Sequence, residues 1–426
     1  MSGPDLTGLL REHASACAVP GAVLGVLAGG AEEIAATGVA DVSTGEPVTP
    51  ETRFAPGSLV KTMVATAIVR LAAEGVLSLE DPLARHVPEL RAAEWAHRAT
   101  LRDLLANRAR VPLTSELEFS GLPGEDDEIL SRLAAVVATQ DAAGPVWSYT
   151  NVGWCLAGRV LETATGAVWE NAMGAALLAP LGMDETTFVA RPVAEPRAAG
   201  HELGHDGPVP VDPWLLRSLG PAGSSLLTTV GDVLRLAAAH LADGALAEVR
   251  VPQADVGIYG WIDRWCLGLA RLDWEGGPVW GWDGVLSGQR AVLRLVPGRG
   301  AVALLTNADN GRALYRSLFP VVLEQRFGIR MPPLRLDPQP GAAGDLSRFA
   351  GVYEWPDTRY EVTPTEVGLV LSSGRGTAEV LPIDERTFLL DAEDEDWPTI
   401  AFGAFHDSGQ PGVLYRMLWG LPRRTA

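Results

Sequence analysis

Residues 54–75, FAPGSLVKTMVATAIVRLAAEG, constrain this chain more than any other stretch. After Pro56 and Gly57 the apolar residues recur at helical spacing, Val64, Ile68 and Leu71 among them, and Gly75 closes the run. A helix this apolar has to be buried, so the rest of the chain must wrap it. Only its first turn carries chemistry, Ser58 and Lys61, and that turn is expected to be exposed to a cleft. Positions i and i+3 share a helix face, so the two side chains point the same way.

Lys61 is set apart by composition. Of the 34 basic residues, one is Lys and the other 33 are Arg. An Arg-rich bias fits a GC-rich genome and does not explain the surviving Lys. Arg keeps its proton in a protein, whereas Lys gives it up when desolvated. A neutral Lys61 could take the Ser58 proton, and the positive end of the helix would favour the alkoxide that forms. Ser-x-x-Lys alone is a common pattern. Its weight here comes from the helix start and from the lone Lys.

The order of elements predicts an α/β (α+β) fold. Two strands around 21–41, joined by Gly29-Gly30, precede a long helical middle, and the pattern returns to strands from about 256. RAVLRLVP and GAVALLTNA are the clearest late pair, followed by a helix over 311–327. Early and late strands are expected to pair in one antiparallel sheet with helices on both sides, the helical middle forming a lobe across a cleft. Residues 1–330 are read as the catalytic domain, the Pro/Gly-rich 331–345 as a linker, and 346–426 as a small barrel-like β-domain.

Bulk properties exclude several classes. A formal charge of −19 makes nucleic acid and anionic membrane poor partners. No apolar run is long enough to span a bilayer. The N-terminus lacks a basic n-region and places Arg11 and Glu12 where a signal peptide would be apolar, so a cytoplasmic location is expected. Cys17, Cys155 and Cys266 fit thiols in a reducing compartment. His201-Glu202-Leu203-Gly204-His205 spells a zinc-protease pattern, but the surrounding Gly and Pro oppose the helix which that pattern needs. No metal and no cofactor are expected.

Two further segments could join Ser58. In Tyr149-Thr150-Asn151 the phenol could act as general acid or base, and the amide could hold Lys61 or a substrate carbonyl. In Trp282-Asp283-Gly284-Val285 the glycine would let substrate approach a strand edge. The Val285 N–H would pair with that of Ser58 as an oxyanion hole.

Taken in order, Ser58-Leu59-Val60-Lys61, Tyr149-Thr150-Asn151 and Trp282-Asp283-Gly284 resemble the three motifs of the serine β-lactamase and penicillin-binding-protein superfamily. The likeness is to its class C-like branch of esterases, D-aminopeptidases and transacylases, and extends over about residues 10–327. The resemblance implies a β-lactamase/transpeptidase-like fold with a lipocalin-like C-terminal domain. It also implies an acyl-Ser58 intermediate, with Lys61 and Tyr149 moving the proton and the N–H groups of Ser58 and Val285 holding the oxyanion. Asn151, Trp282, Asp283 and Gly284 are then expected at the substrate.

Relatives commonly carry His or Lys where this chain has Trp282. Trp can neither bind a carboxylate ionically nor relay a proton, which argues against β-lactamase or carboxypeptidase activity. Where relatives have a His-Thr-Ser-Gly phrase this chain has 106–112, with Arg108 and Arg110 read as solvated. Trp147, Trp154, Trp261, Trp265, Trp274, Trp280 and Trp282 cluster near two motifs and suggest an aromatic wall, hence an apolar or aromatic small-molecule or peptide acyl substrate. The expected function is a serine hydrolase or acyltransferase acting on an ester, thioester or amide. A role in natural-product assembly, as a transacylase or peptide-cyclising thioesterase, is an analogy at family level. The alternative is a binding or regulatory protein on an inactive scaffold.

Overall fold

The computed structural model describes residues 5–111, 115–139, 147–189, 197–205, 207–211, 216–258, 262–333, 336–355, 358–390 and 398–424. Trp261, and Leu334 and Arg335 of the expected linker, lie outside the described residues.

A nine-stranded antiparallel sheet forms the centre. Its middle strands are Gly21–Ala28, Gly300–Thr306 and Gln289–Val296, with Ala22 opposite Thr306 and Arg290 opposite Thr306 on the other side. The first strand therefore pairs with the last, as the early and late apolar runs predict. Gln289–Val296 and Gly300–Thr306 are buried throughout, because helices cover both faces of the sheet. Leu6–Ala16 and Gly311–Phe327 pack on one face with Leu10, Leu24, Leu304, Leu318 and Phe319. Val60–Ala73 and Val230–Ala242 lie in the other, larger core. Thr229 caps the latter helix by accepting the Asp232 N–H at 3.3 Å.

The helical lobe includes Leu101–Leu105, Ser115–Ser120, Ile129–Ala138 and Asn151–Thr165. Thr100 and Asp103 form a reciprocal capping box on the first of these. Residues 331–333 and 336–345 contain no regular helix or strand, and the Gln339 N–H bonds the Pro382 carbonyl at 2.6 Å.

The last part of the chain is an eight-stranded antiparallel sheet running in chain order from Gly351–Trp355 to Trp419–Pro422. It is nearly closed: Tyr353 bridges Arg423, and the Arg424 N–H reaches the Val352 carbonyl at 2.8 Å. Its interior is filled by the rings of Phe349, Phe388, Phe402 and Tyr353. Among the described residues no helix is long and apolar enough to cross a membrane.

Candidate active site

The second half of the strand Gly277–Leu286, beyond its pairing with Ala270–Trp274, lies against the start of the Lys61 helix. Ser58 sits in a 3-10 turn, Gly57–Leu59, that runs directly into Val60–Ala73. Gly57 holds φ at +52°, and a Cβ there would crowd the Val285 backbone. A Cβ on Gly284 would overlap the Pro56 carbonyl oxygen. Gly284 is thus required for the nucleophile turn to approach the strand. Gly284→Ala is expected to cost about 1–3 kcal/mol through forced separation of strand and turn. A thermal melt together with Ser58 reactivity checks this: both should fall.

Lys61 differs from its sequence expectation. It is fully buried, at 0% exposure, rather than exposed with the first turn. Its Nζ lies 2.9 Å from Ser58 Oγ, 2.8 Å from Asn151 Oδ1 and 2.7 Å from the Ala222 carbonyl oxygen. Asn151 opens the helix Asn151–Thr165, which Thr150 caps by accepting the Gly153 N–H at 3.1 Å. Ala222 ends a 3-10 segment, and the next residue, Gly223, has φ +131° and packs against Gly57. A neutral amine has two N–H groups and one lone pair. Asn151 and Ala222 offer only acceptors, so the lone pair is left for the Ser58 hydroxyl. Burial pulls the Lys61 ammonium down to about 7, opposed by the charge of Glu118.

Glu118 was not singled out from sequence. It is buried on the short helix Ser115–Ser120, and its carboxylate accepts the Thr150 hydroxyl at 3.0 Å and the Val152 N–H at 3.1 Å, as well as the Asn151 N–H. Its own carbonyl accepts the Asn151 amide at 3.1 Å, which orients Asn151 Oδ1 toward Lys61. Burial pushes the Glu118 carboxyl up, while the backbone N–H groups and Lys61 oppose that push. The only local signal was an acidic residue between Leu117 and Phe119.

Tyr149 is 7% exposed, and its phenol bonds Ser58. Burial pushes its proton affinity well above the ordinary phenol range. The Trp282 indole N–H donates to the Tyr149 oxygen at 3.2 Å. This corrects the reading of Trp282 as a substrate contact: the ring is 3% exposed and packs against Tyr149 and Trp265 at centroid separations of 5.4 and 4.7 Å. Trp147, Trp154 and Trp265 are buried in the same core, so these members of the expected aromatic wall are core packing.

Asp283 needs a second correction. Successive strand residues face opposite ways. With Trp282 turned to the phenol, Asp283 is turned to Arg294, which bonds both carboxylate oxygens and the Tyr315 hydroxyl, the latter at 2.8 Å. It braces the sheet and presents no carboxylate to the cleft. Arg108 and Arg110 are exposed, and Arg108 bonds the Gln253 carbonyl at 3.0 Å.

A cavity of ≈ 70 Å³ opens beside Ser58 and is lined by Asn151, Leu219, Ala222, Gly223, Val285 and Leu286. The structure therefore brings Ser58, Lys61, Tyr149, Asn151 and Val285 into one place. The zinc-protease pattern lies elsewhere. His201 is on the strand Gly200–Gly204, paired with Gly207–Val211, and His205 is in the turn that follows, so the two do not share a helix face. The His201 ring already bonds the Val42 N–H at 3.3 Å and the Asn307 carbonyl at 2.8 Å.

Residues 6–326 match the family model described as Beta-lactamase. The chain belongs to the β-lactamase family. Penicillin-binding protein 4 of Amycolatopsis lactamdurans is 33% identical over 360 residues, covering 79% of this chain and 93% of that protein. The crystal structure of SurE superposes with a TM-score of 0.81 at 31% identity over 98% of both chains, and SurE has also been solved with D-Leu. A class C β-lactamase from Rhodobacter sphaeroides shares the fold, with a TM-score of 0.61 at 21% identity over 74% of this chain and 98% of that one. That family supports a serine hydrolase or acyl-transfer activity in general.

Proposed function

We propose that the chain forms an acyl-Ser58 intermediate, with Lys61 as the base that activates Ser58. The observation that supports this most is the Lys61 amine. It is fully buried 2.9 Å from Ser58 Oγ, with acceptors occupying its other two directions. Ser58 Oγ attacks the acyl carbon as its proton moves to Nζ. The oxyanion lies between the N–H groups of Ser58 and Val285. Tyr149, kept protonated by burial and fixed by Trp282, gives its proton to the leaving group and recovers one from the Lys61 ammonium. Water, an amine or an alcohol then attacks the acyl group, and its proton returns by the same route.

The acyl group is apolar and meets Leu219, Ala222, Val285 and Leu286 along a cavity that Asn151 and Ser224 also line. The acceptor is an amine or alcohol as well as water, as in a transacylase or a peptide-cyclising thioesterase of natural-product assembly. The likeness to SurE, solved with D-Leu, supports donors bearing an apolar D-configured residue. The test is incubation with D- and L-leucyl thioesters, with and without an amine, followed by mass spectrometry. An acyl-amine product is expected with the amine present. Free acid alone reduces the activity to hydrolysis, and no turnover of any donor contradicts the proposal.

Glu118 tunes Lys61 in this scheme. Its negative charge favours the ammonium, so Glu118→Gln should lower the Lys61 pKa. The acidic limb of the acylation-rate profile is therefore expected to move to lower pH in the variant. A limb that stays in place would show that Glu118 only holds the backbone.

A further inference from the structure

The eight-stranded barrel meets the catalytic residues through one turn. Arg416 pairs with Trp419, which leaves Met417 and Leu418 as a two-residue hairpin turn. Met417 has φ +57°, a left-handed conformation that Gly and Asn take readily in such turns and Met does not. Local preference therefore did not select this turn. What it touches explains it.

Leu418 is buried in the main core, and its carbonyl accepts the Tyr149 N–H at 3.1 Å. The neighbouring Gly420 N–H donates to Ser148 Oγ at 3.3 Å. Tyr415 stands edge-on to Trp147 at 5.8 Å. On the other side Trp419 lies 4.9 Å from Phe119, the residue after Glu118. One hairpin thus holds Trp147, Ser148 and Tyr149 through side chains and main chain, and abuts the helix that carries Glu118. The barrel interior is filled by its own aromatic rings, so its contribution lies at this rim.

We infer that the C-terminal barrel is a positioning element of the active site: its Met417-Leu418 turn and Trp419 set the placement of the Tyr149 phenol against Ser58. The inference rests on the acyl-Ser58 reading. A family relative aligned over 74% of this chain, the Rhodobacter enzyme, has the catalytic fold over almost its whole length. This chain adds the barrel and ties the segment carrying Tyr149 to it.

The experiment uses the full chain. The double variant M417N/L418G installs a dipeptide common in two-residue hairpins and removes the Leu418 side chain from the core. W419A removes the ring against Phe119, and W419F restores a ring. Three readouts are taken: the labelling rate of Ser58 by a small fluorophosphonate, kcat and KM on a small activated ester, and the thermal melt.

Labelling and kcat are expected to fall about 10- to 100-fold in M417N/L418G and in W419A, with KM within about twofold. W419F should recover most of the loss. Labelling within about twofold of the parent in folded M417N/L418G and W419A overturns the barrel's role alone. If M417N/L418G unfolds, the comparison of W419A with W419F decides. A parent protein that takes no label at Ser58 sinks the acyl-enzyme reading, and the barrel's role with it.

Discussion

Lys61→Arg is expected to slow acylation of Ser58 by about 10³-fold or more, although it keeps the positive charge. The reason is the proton. Arg remains protonated in a protein and cannot accept one from Ser58. Burial, by contrast, brings Lys61 down to about 7, so the amine is free near neutral pH. Geometry adds to the effect. The three partners of Nζ, at 2.7–2.9 Å, converge on a single atom, and a planar guanidinium cannot meet all three from a fully buried position. Stopped-flow acylation with an activated ester measures the rate. Loss of less than about tenfold would reduce Lys61 to an electrostatic partner of some other base.

Ser58→Ala should have the larger effect on turnover, about 10⁵-fold or more in kcat, because it removes the atom that carries the acyl group. Some acceleration over water should persist from the oxyanion donors and from substrate binding. The fold should survive. The Ser58 hydroxyl serves Lys61 and Tyr149, and its removal leaves Lys61 bonded to Asn151 and Ala222. A melt unchanged to within a few degrees beside lost turnover separates chemistry from stability. Turnover retained in Ser58→Ala would remove the nucleophile from the account.

The parts of the fold legible in the sequence were those set by local pattern. Apolar runs and the Gly29-Gly30 turn marked the strands that became Gly21–Ala28 and Gly300–Thr306, and the helix read over 311–327 became Gly311–Phe327. Their antiparallel pairing followed from the need to cover two apolar runs at opposite ends of the chain. The site was legible where chemistry and position coincided, as at Ser58 and Lys61.

What was not legible depended on contacts across the chain. Glu118 meets Asn151 and Lys61 only after the lobe folds, and nothing within Ser115–Ser120 points to them. Trp282 and Asp283 were misread for a different reason. As strand neighbours they had to face opposite ways, one to the phenol and the other to Arg294. Applying that alternation to the motif would have denied both a joint role at the substrate.

Ser58 as the acyl carrier is tested most directly by intact-mass and peptide mass spectrometry after brief exposure to a β-lactone. One adduct is predicted, on the peptide holding Ser58, forming faster at pH 8 than at pH 6 as Lys61 loses its proton, and absent from Ser58→Ala. No adduct at all, or one that persists in Ser58→Ala, would contradict it.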